Sequence, residues 1–202
     1  LISIGGMVLT SAVNRYGTYF LAGFTAMNKL YGVLEISAVS YGYAMVTYTG
    51  QNYGAHRYDR IKSGVKKVVL LSLATSILIS IILWIFGPFF LSCFISKTSQ
   101  GANEAMTYGL NFLRCLTVFL PILYMLHAYR STIQGLSNAF IPMVSGLFEL
   151  LMRISGALIL PNYFGKAGLY PVEVLAWIGA VIILVPSYYY MERNFQKVSE
   201  KC

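Results

Sequence analysis

The sequence predicts an all-α, polytopic transmembrane helix bundle, and three observations carry that expectation. Hydrophobic residues make up 57% of the 202 residues and charged residues only 11%, against about 25% charged in an ordinary globular domain; mean hydropathy is +0.65. The apolar residues fall in runs of about twenty or more, the length that crosses ~30 Å of hydrocarbon as a helix. Fifteen Lys+Arg against seven Asp+Glu give a formal charge of +8, and most of these cations sit at the ends of apolar runs, as membrane topology requires. A nucleic-acid partner would call for a basic face interleaved with aromatics instead, so none is expected. Stretches such as Val68 to Phe86 lack the alternation of a barrel strand. Cys93, Cys115 and Cys202 are far apart and show neither metal nor redox spacing, so neither a metal site nor an organic cofactor is expected.

The elements follow in order. Residues 1–13 form an apolar run too short to span, opening without Met or a basic region. They read as the outer remnant of a helix whose beginning is missing. Five complete spans come next, at about 21–49, 65–86, 105–130, 140–160 and 172–191. Arg57, Arg60, Lys62, Lys66 and Lys67 follow the first, Arg130 the third, and Arg193, Lys197 and Lys201 the last; the opposite loops hold only Arg15, Lys97 and Lys166. Nine cations against three place the Gly50–Lys67 loop and the C-terminus in the cytoplasm. Within the second outer loop, Pro88-Phe89-Phe90-Leu91 is expected as an interfacial segment and Lys97 to Gly101 as a turn. Pro161 to Pro171 is expected as a Gly/Pro/aromatic turn at headgroup level, and Tyr188-Tyr189-Tyr190 as an interfacial anchor.

Ionisable groups at membrane depth are functional candidates by default. Glu35 lies about 21 Å of helix beyond Leu21, near mid-membrane. Asn28, Tyr31, Ala38 and Gly42, spaced three, four or seven residues from it, form one polar or small stripe that can face the bundle interior. Glu35 is therefore either a proton-titrating or cation-attracting carboxylate in a cleft, or a hydrogen-bonded clamp between helices. Lys29 points to another face and can snorkel outward. Glu149 and Arg153, four apart on one helix, can pair with each other. The 105–130 span carries Thr117, Tyr124, His127 and Ser131 with Pro121 inside it. Proline removes a helix hydrogen bond, and transporters place substrate near such interruptions. With an unperturbed pKa near 6.5, a histidine such as His127 can relay protons; a hydrogen-bonded structural role is the alternative. Arg114 reads as an interface residue. Tyr31, Tyr41, Tyr43, Tyr48, Met27 and Met45 crowd one helix, where packing and cation stacking are both open readings.

Several stretches together resemble one family. Val13-Asn14-Arg15-Tyr16-Gly17 is similar to an outer turn, and Gly50-Gln51-Asn52-Tyr53-Gly54-Ala55, with Arg57 and Arg60, is similar to a GQNxGA…R motif. Gln134-Gly135-Leu136-Ser137-Asn138-Ala139 with Pro142 resembles a QGxGxxxxP turn, and Glu149-Leu150-Leu151-Met152-Arg153 resembles E-L-x-x-R. In order and spacing these resemble the multidrug and toxic compound extrusion (MATE) transporters, over nearly the whole chain but about half of the family's twelve helices. The resemblance implies the C-terminal six-helix lobe of a multi-pass plasma-membrane protein, in a bacterium the inner membrane, with the N-terminal lobe missing. It implies secondary-active efflux of cationic or amphipathic small molecules, with alternating access between lobes and exchange for H+ or Na+. Some members carry a coupling carboxylate on the seventh or tenth helix, whereas Leu1–Val13 and Leu116–Arg130 hold no Asp or Glu. The resemblance thus favours H+, through a carboxylate of the other lobe. The motif turns read as gate and topology elements, their glycines permitting close backbone approach and Gln51 and Asn52 serving orphan carbonyls. A lipid-linked oligosaccharide flippase of the same superfamily and a non-transporting truncated module are the other readings; an enzyme is not expected, since no catalytic set appears.

Overall fold

The computed structural model describes residues 2–95 and 100–199, with side chains described between 4 and 194. The expected turn residues Lys97, Thr98 and Ser99, the side chain of Lys197, and Lys201 and Cys202 lie outside the described residues.

Among the described residues there are seven α-helices: α1 (Ile2–Asn14), α2 (Thr18–Gly54), α3 (Tyr58–Ser92), α4 (Ala102–Val118), α5 (Leu120–Gly135), α6 (Phe140–Phe164) and α7 (Val172–Ser199). A short 3-10 turn, Gly165–Leu169, joins the last two. By length and composition α3, α6 and α7 can each cross a membrane, as can α4 and α5 taken as one span bent by 52°. At 37 residues α2 is about 55 Å long, but Asn28, Lys29, Glu35 and its serines make it less apolar than these. It is the central post: α4 packs along its first half and α5 along its second, while α6 and α7 pair on the far side with α1 against α6.

Lipid tails are as apolar as leucine, so packing rather than hydrophobic expulsion holds such helices together. Small residues line the close approaches of α2. A β-carbon on Gly23 would collide with the Ala105 carbonyl and lie 2.8 Å from the Gly109 nitrogen; one on Gly42 would lie 2.7 Å from Ser131 Oγ. At the far end, a β-carbon on Gly135 would lie 2.7 Å from Thr49 Cβ and 3.2 Å from the Gly50 nitrogen. The two glycine-bearing motifs, distant in sequence, thus meet across one helix crossing.

The α4–α5 break falls just before Pro121. Pro121 has no N–H, so the Thr117 carbonyl four residues back loses its helical partner. Ser80 Oγ of α3 donates to that carbonyl at 2.7 Å, a side-chain rescue of the kind membrane helices use. Ser80→Ala orphans the carbonyl again and is expected to cost about 1–3 kcal/mol, read as a lower melting temperature in detergent.

Both motif turns end their helices the same way. His56 N–H donates to the Tyr53 carbonyl at 3.0 Å and Arg57 N–H to Asn52 at 2.8 Å; Ser137 N–H donates to Gln134 at 3.0 Å and Asn138 N–H to Ile133 at 3.3 Å. These paired bonds close a left-handed helix end, and His56 (φ 54°) and Ser137 (φ 61°) occupy the position where glycine is preferred. Asn52 also returns its side-chain amide to the Tyr48 carbonyl at 2.8 Å. His56→Gly and Ser137→Gly should each stabilise the protein by about 1 kcal/mol, measured by thermal melting.

Four local expectations are corrected. The Gly50–Lys67 connection is a loop only over residues 55–57, because the tight helix end lets α3 start at Tyr58. Pro88–Leu91 is not an interfacial segment but the last turn of α3; Leu91 is fully buried against α4, where it meets Gly109, and that packing keeps the helix going past the proline. Likewise α6 runs through Pro161 to Phe164 before the chain turns at Gly165 (φ 57°). Arg130 belongs to no loop: α5 continues to Gly135.

Candidate functional site

A cavity of about 320 Å³ opens between α1, α2, α5, α6 and α7. Asn28, Tyr31, Glu35 and His127 all line it, as do Glu149 and Arg153. The stripe read from α2 explains the first three: seven residues is two helical turns, so Asn28 and Glu35 stack on one face with Tyr31 between them. Tyr31 lies flat on Trp177 of α7, with ring centres 5.9 Å apart and planes within 16°, and forms an aromatic wall. Lys29 is exposed on another face of α2.

Glu35 and His127 face each other across the cavity, with Oε1 3.7 Å from Nε2 and side-chain exposures of 38% and 17%. The gap is too long for a direct hydrogen bond and short enough for a bridging water or a small side-chain shift. A carboxylate and an imidazole in that relation can bind and pass one proton, or hold a cation between the carboxylate and the acceptor nitrogen.

Beside them runs a buried ladder of charge. Arg130 of α5 donates to Glu149 Oε2 at 2.7 Å, Arg153 donates to Glu149 Oε1 at 3.2 Å, and Arg153 also donates to Glu173 Oε2 of α7 at 2.7 Å. Ser145 sits within 3.5 Å of Arg130. All four charged side chains are at most 16% exposed. Two guanidiniums and two carboxylates cancel, so the ladder ties α5, α6 and α7 without adding net charge to the cavity. Space for it comes from α1: a β-carbon on Gly5 would lie 2.8 Å from Arg153 Cδ. Glu35 is then the carboxylate on this cavity that has no guanidinium or ammonium within ion-pair distance among the described residues.

Sequence spacing places Glu149 next to Arg153, but the pair is half of the assembly. Arg130, a loop cation by sequence, lies on α5, and Glu173 carries one signal in the sequence, that of a first-turn acid at the start of an apolar run. Tyr124 does not join the cavity. It is fully buried, hydrogen-bonded to the hydroxyl of Ser37 and packed against Tyr41, because a three-residue step turns it about 60° around α5 from His127. The other tyrosines singled out on α2 lie elsewhere: Tyr41 bonds Thr75 at 2.8 Å, Tyr48 donates to the Arg60 carbonyl at 2.9 Å, and Tyr43 is exposed. Met27 and Met45 are buried, and Arg114 lies over the Trp84 ring at 5.8 Å. Of the motif residues, Gly50, Asn52 and Gly135 lie at or beside the α2–α5 crossing, whereas Gln51, Gly54, Ala55, Arg57 and Gln134 are exposed at the same end of the bundle. Among the described residues no group of three or more His, Cys, Asp or Glu could hold a metal ion.

Fold and cavity together define a helical membrane bundle with a charged internal pocket beside a broken helix. A family model described as MatE matches residues 1–159. The chain belongs to the MatE family of membrane proteins. Among curated proteins of Bacillus subtilis (strain 168), it is 27% identical over 123 residues to "Probable multidrug resistance protein YpnP", covering 61% of this chain and 26% of that protein. It is 23% identical over 198 residues to "Probable multidrug resistance protein YoeA", covering 94% of this chain and 40% of that protein. The fold matches a crystallised MATE in complex with MaL6, with a TM-score of 0.87, 19% identity, and 96% of this chain against 44% of that one. It also matches a MOP superfamily transporter from Pyrococcus furiosus Vc1 described by a binding pocket of reversed polarity, with a TM-score of 0.82, 18% identity, and 98% of this chain against 43% of that one. The chain therefore spans less than half the length of each of these relatives.

Proposed function

We propose that this chain is the C-terminal six-helix lobe of a secondary-active exporter of amphipathic or cationic small molecules. In this reading it works by alternating access with an N-terminal lobe and exchanges substrate for protons rather than sodium. The lipid bilayer and that second lobe are its partners, the protein is no enzyme, and it lies in the plasma membrane with the motif turns and C-terminus in the cytoplasm. The excess of basic residues at that end supports the orientation even with Arg130 removed from the count, and the bacterial relatives support an inner membrane.

The observation that carries the reading is the Glu35–His127 pair facing a cavity beside a broken helix, 3.7 Å apart. An acid left without a cation partner next to an imidazole is chemistry suited to one mobile proton. The paired charges of the ladder behind it hold the wall in place. A sugar-pyrophosphate flippase calls for an excess of cations in the cleft, and this lobe offers guanidiniums already committed to carboxylates. The test is uptake of a fluorescent cation by the complete protein in proteoliposomes. Uptake driven by a pH gradient without sodium is the expected result; uptake that follows a sodium gradient at fixed pH and ignores the pH gradient overturns proton coupling, and no uptake under either gradient favours a non-transporting module.

A further inference from the structure

At the end of the bundle that carries the α2–α3 turn, a second cavity of about 520 Å³ lies between α3, α5 and α7. Its character differs from that of the first. One wall is aliphatic, built by Val65, Val69, Leu70 and Leu73 of α3. The opposite wall is a cluster of tyrosine rings in which Tyr129, Tyr188 and Tyr189 lie with centres 5.4 to 6.4 Å apart. Lys62, Lys66 and Arg193 stand around it with a single acid, Glu192. Lys62 holds that acid at 2.9 Å. Among the described residues Lys66 and Arg193 have no carboxylate within ion-pair distance, and both are exposed.

We propose that this groove binds an anionic phospholipid of the leaflet on the C-terminal side, its phosphate between Lys66 and Arg193 and an acyl chain along the α3 wall. The proposal rests only on the chain being membrane-embedded, not on the transport reading. Charge complementarity selects an anion, since two cations remain after Glu192 is matched. The aliphatic wall selects one with a chain attached. It continues into the outer face of α3, where Leu70, Leu71, Ile77 and Leu78 are 51% to 69% exposed, so a chain leaving the groove stays on apolar surface. Tyrosines with one wet and one apolar end suit the headgroup level, and basic pockets between helices at a membrane face are lipid headgroup sites.

The test is native mass spectrometry of the complete protein purified in detergent and titrated with phosphatidylglycerol or phosphatidylcholine of the same acyl chains. The wild type is expected to retain phosphatidylglycerol more tightly by on the order of tenfold. Lys66→Ala combined with Arg193→Ala should bring it to the phosphatidylcholine level, and Leu73→Trp, which fills the aliphatic wall, should weaken both lipids. Melting without lipid checks that each variant is folded; the two surface cations keep the test usable if Leu73→Trp is not. Equal retention of the two lipids by the wild type, undiminished phosphatidylglycerol binding by the cation double variant, or no retention of either lipid overturns the proposal. Full displacement by millimolar inorganic phosphate also overturns it and points to a free anion instead.

Discussion

Glu35→Gln in the complete protein should abolish pH-driven efflux while leaving the amount of folded protein in the membrane unchanged. The substitution keeps the shape and hydrogen-bonding capacity of the side chain and removes only its ability to take up and release a proton. At 38% exposure on a cavity wall the side chain supports no buried packing, so stability should move little. His127→Gln should slow transport and shift its pH profile, because an amide cannot take up and release a proton as an imidazole can. A Glu35→Gln protein that transports with the wild-type pH dependence reduces Glu35 to a clamp between helices, and proton coupling would then belong to the other lobe alone.

Glu149→Ala should be strongly destabilising. Glu149 is the rung between two guanidiniums, accepting from Arg130 at 2.7 Å and from Arg153 at 3.2 Å, and it is 7% exposed. Removing it leaves Arg130 buried and unmatched beside Arg153. Breaking a buried pair by deleting one partner costs about 3–5 kcal/mol, whereas replacing the whole pair with packed apolar residues can be nearly neutral. Glu149→Ala is therefore expected to lower the yield of folded protein and its melting temperature sharply. Glu149→Met with Arg130→Met should recover part of both, Arg153 keeping Glu173 as its partner. If Glu149→Ala melts within experimental error of the wild type, the ladder is not what ties α5, α6 and α7.

The class of fold and most of one cavity wall were readable from the residues, and the reasons for the failures are specific. Composition and run length dictate a membrane helix bundle, and two-turn spacing puts Asn28, Tyr31 and Glu35 on one face whatever packs against it. Glu149 and Arg153 pair because four residues is one turn. Each of these is a property of a single helix. The misses are properties of neighbours. Arg130 looked like a loop cation because the apolar run stops there, yet α5 continues and Glu149 on α6 neutralises it. Glu173 sits at the start of α7, where an acid is unremarkable until Arg153 is placed against it. Tyr124 is three residues from His127 on the same helix, but that step turns it about 60° around α5, enough for Ser37 and Tyr41 to take its ring away from the cavity. Pro88 and Pro161 read as stops in a sequence, whereas α3 continues past the first on the packing of Leu91 and α6 runs through the second to Phe164.

The central claim, that the Glu35–His127 pair carries a proton in exchange for substrate, is tested most directly by watching the proton itself. The complete protein would be reconstituted with a pH-sensitive dye sealed inside the vesicles, and substrate added outside with no sodium and no imposed pH gradient. The account predicts that substrate entry drives protons out of the vesicles, that the lumen becomes more alkaline, and that Glu35→Gln abolishes this signal. Substrate entry at the normal rate with no change in luminal pH, or a signal that survives Glu35→Gln, would contradict it.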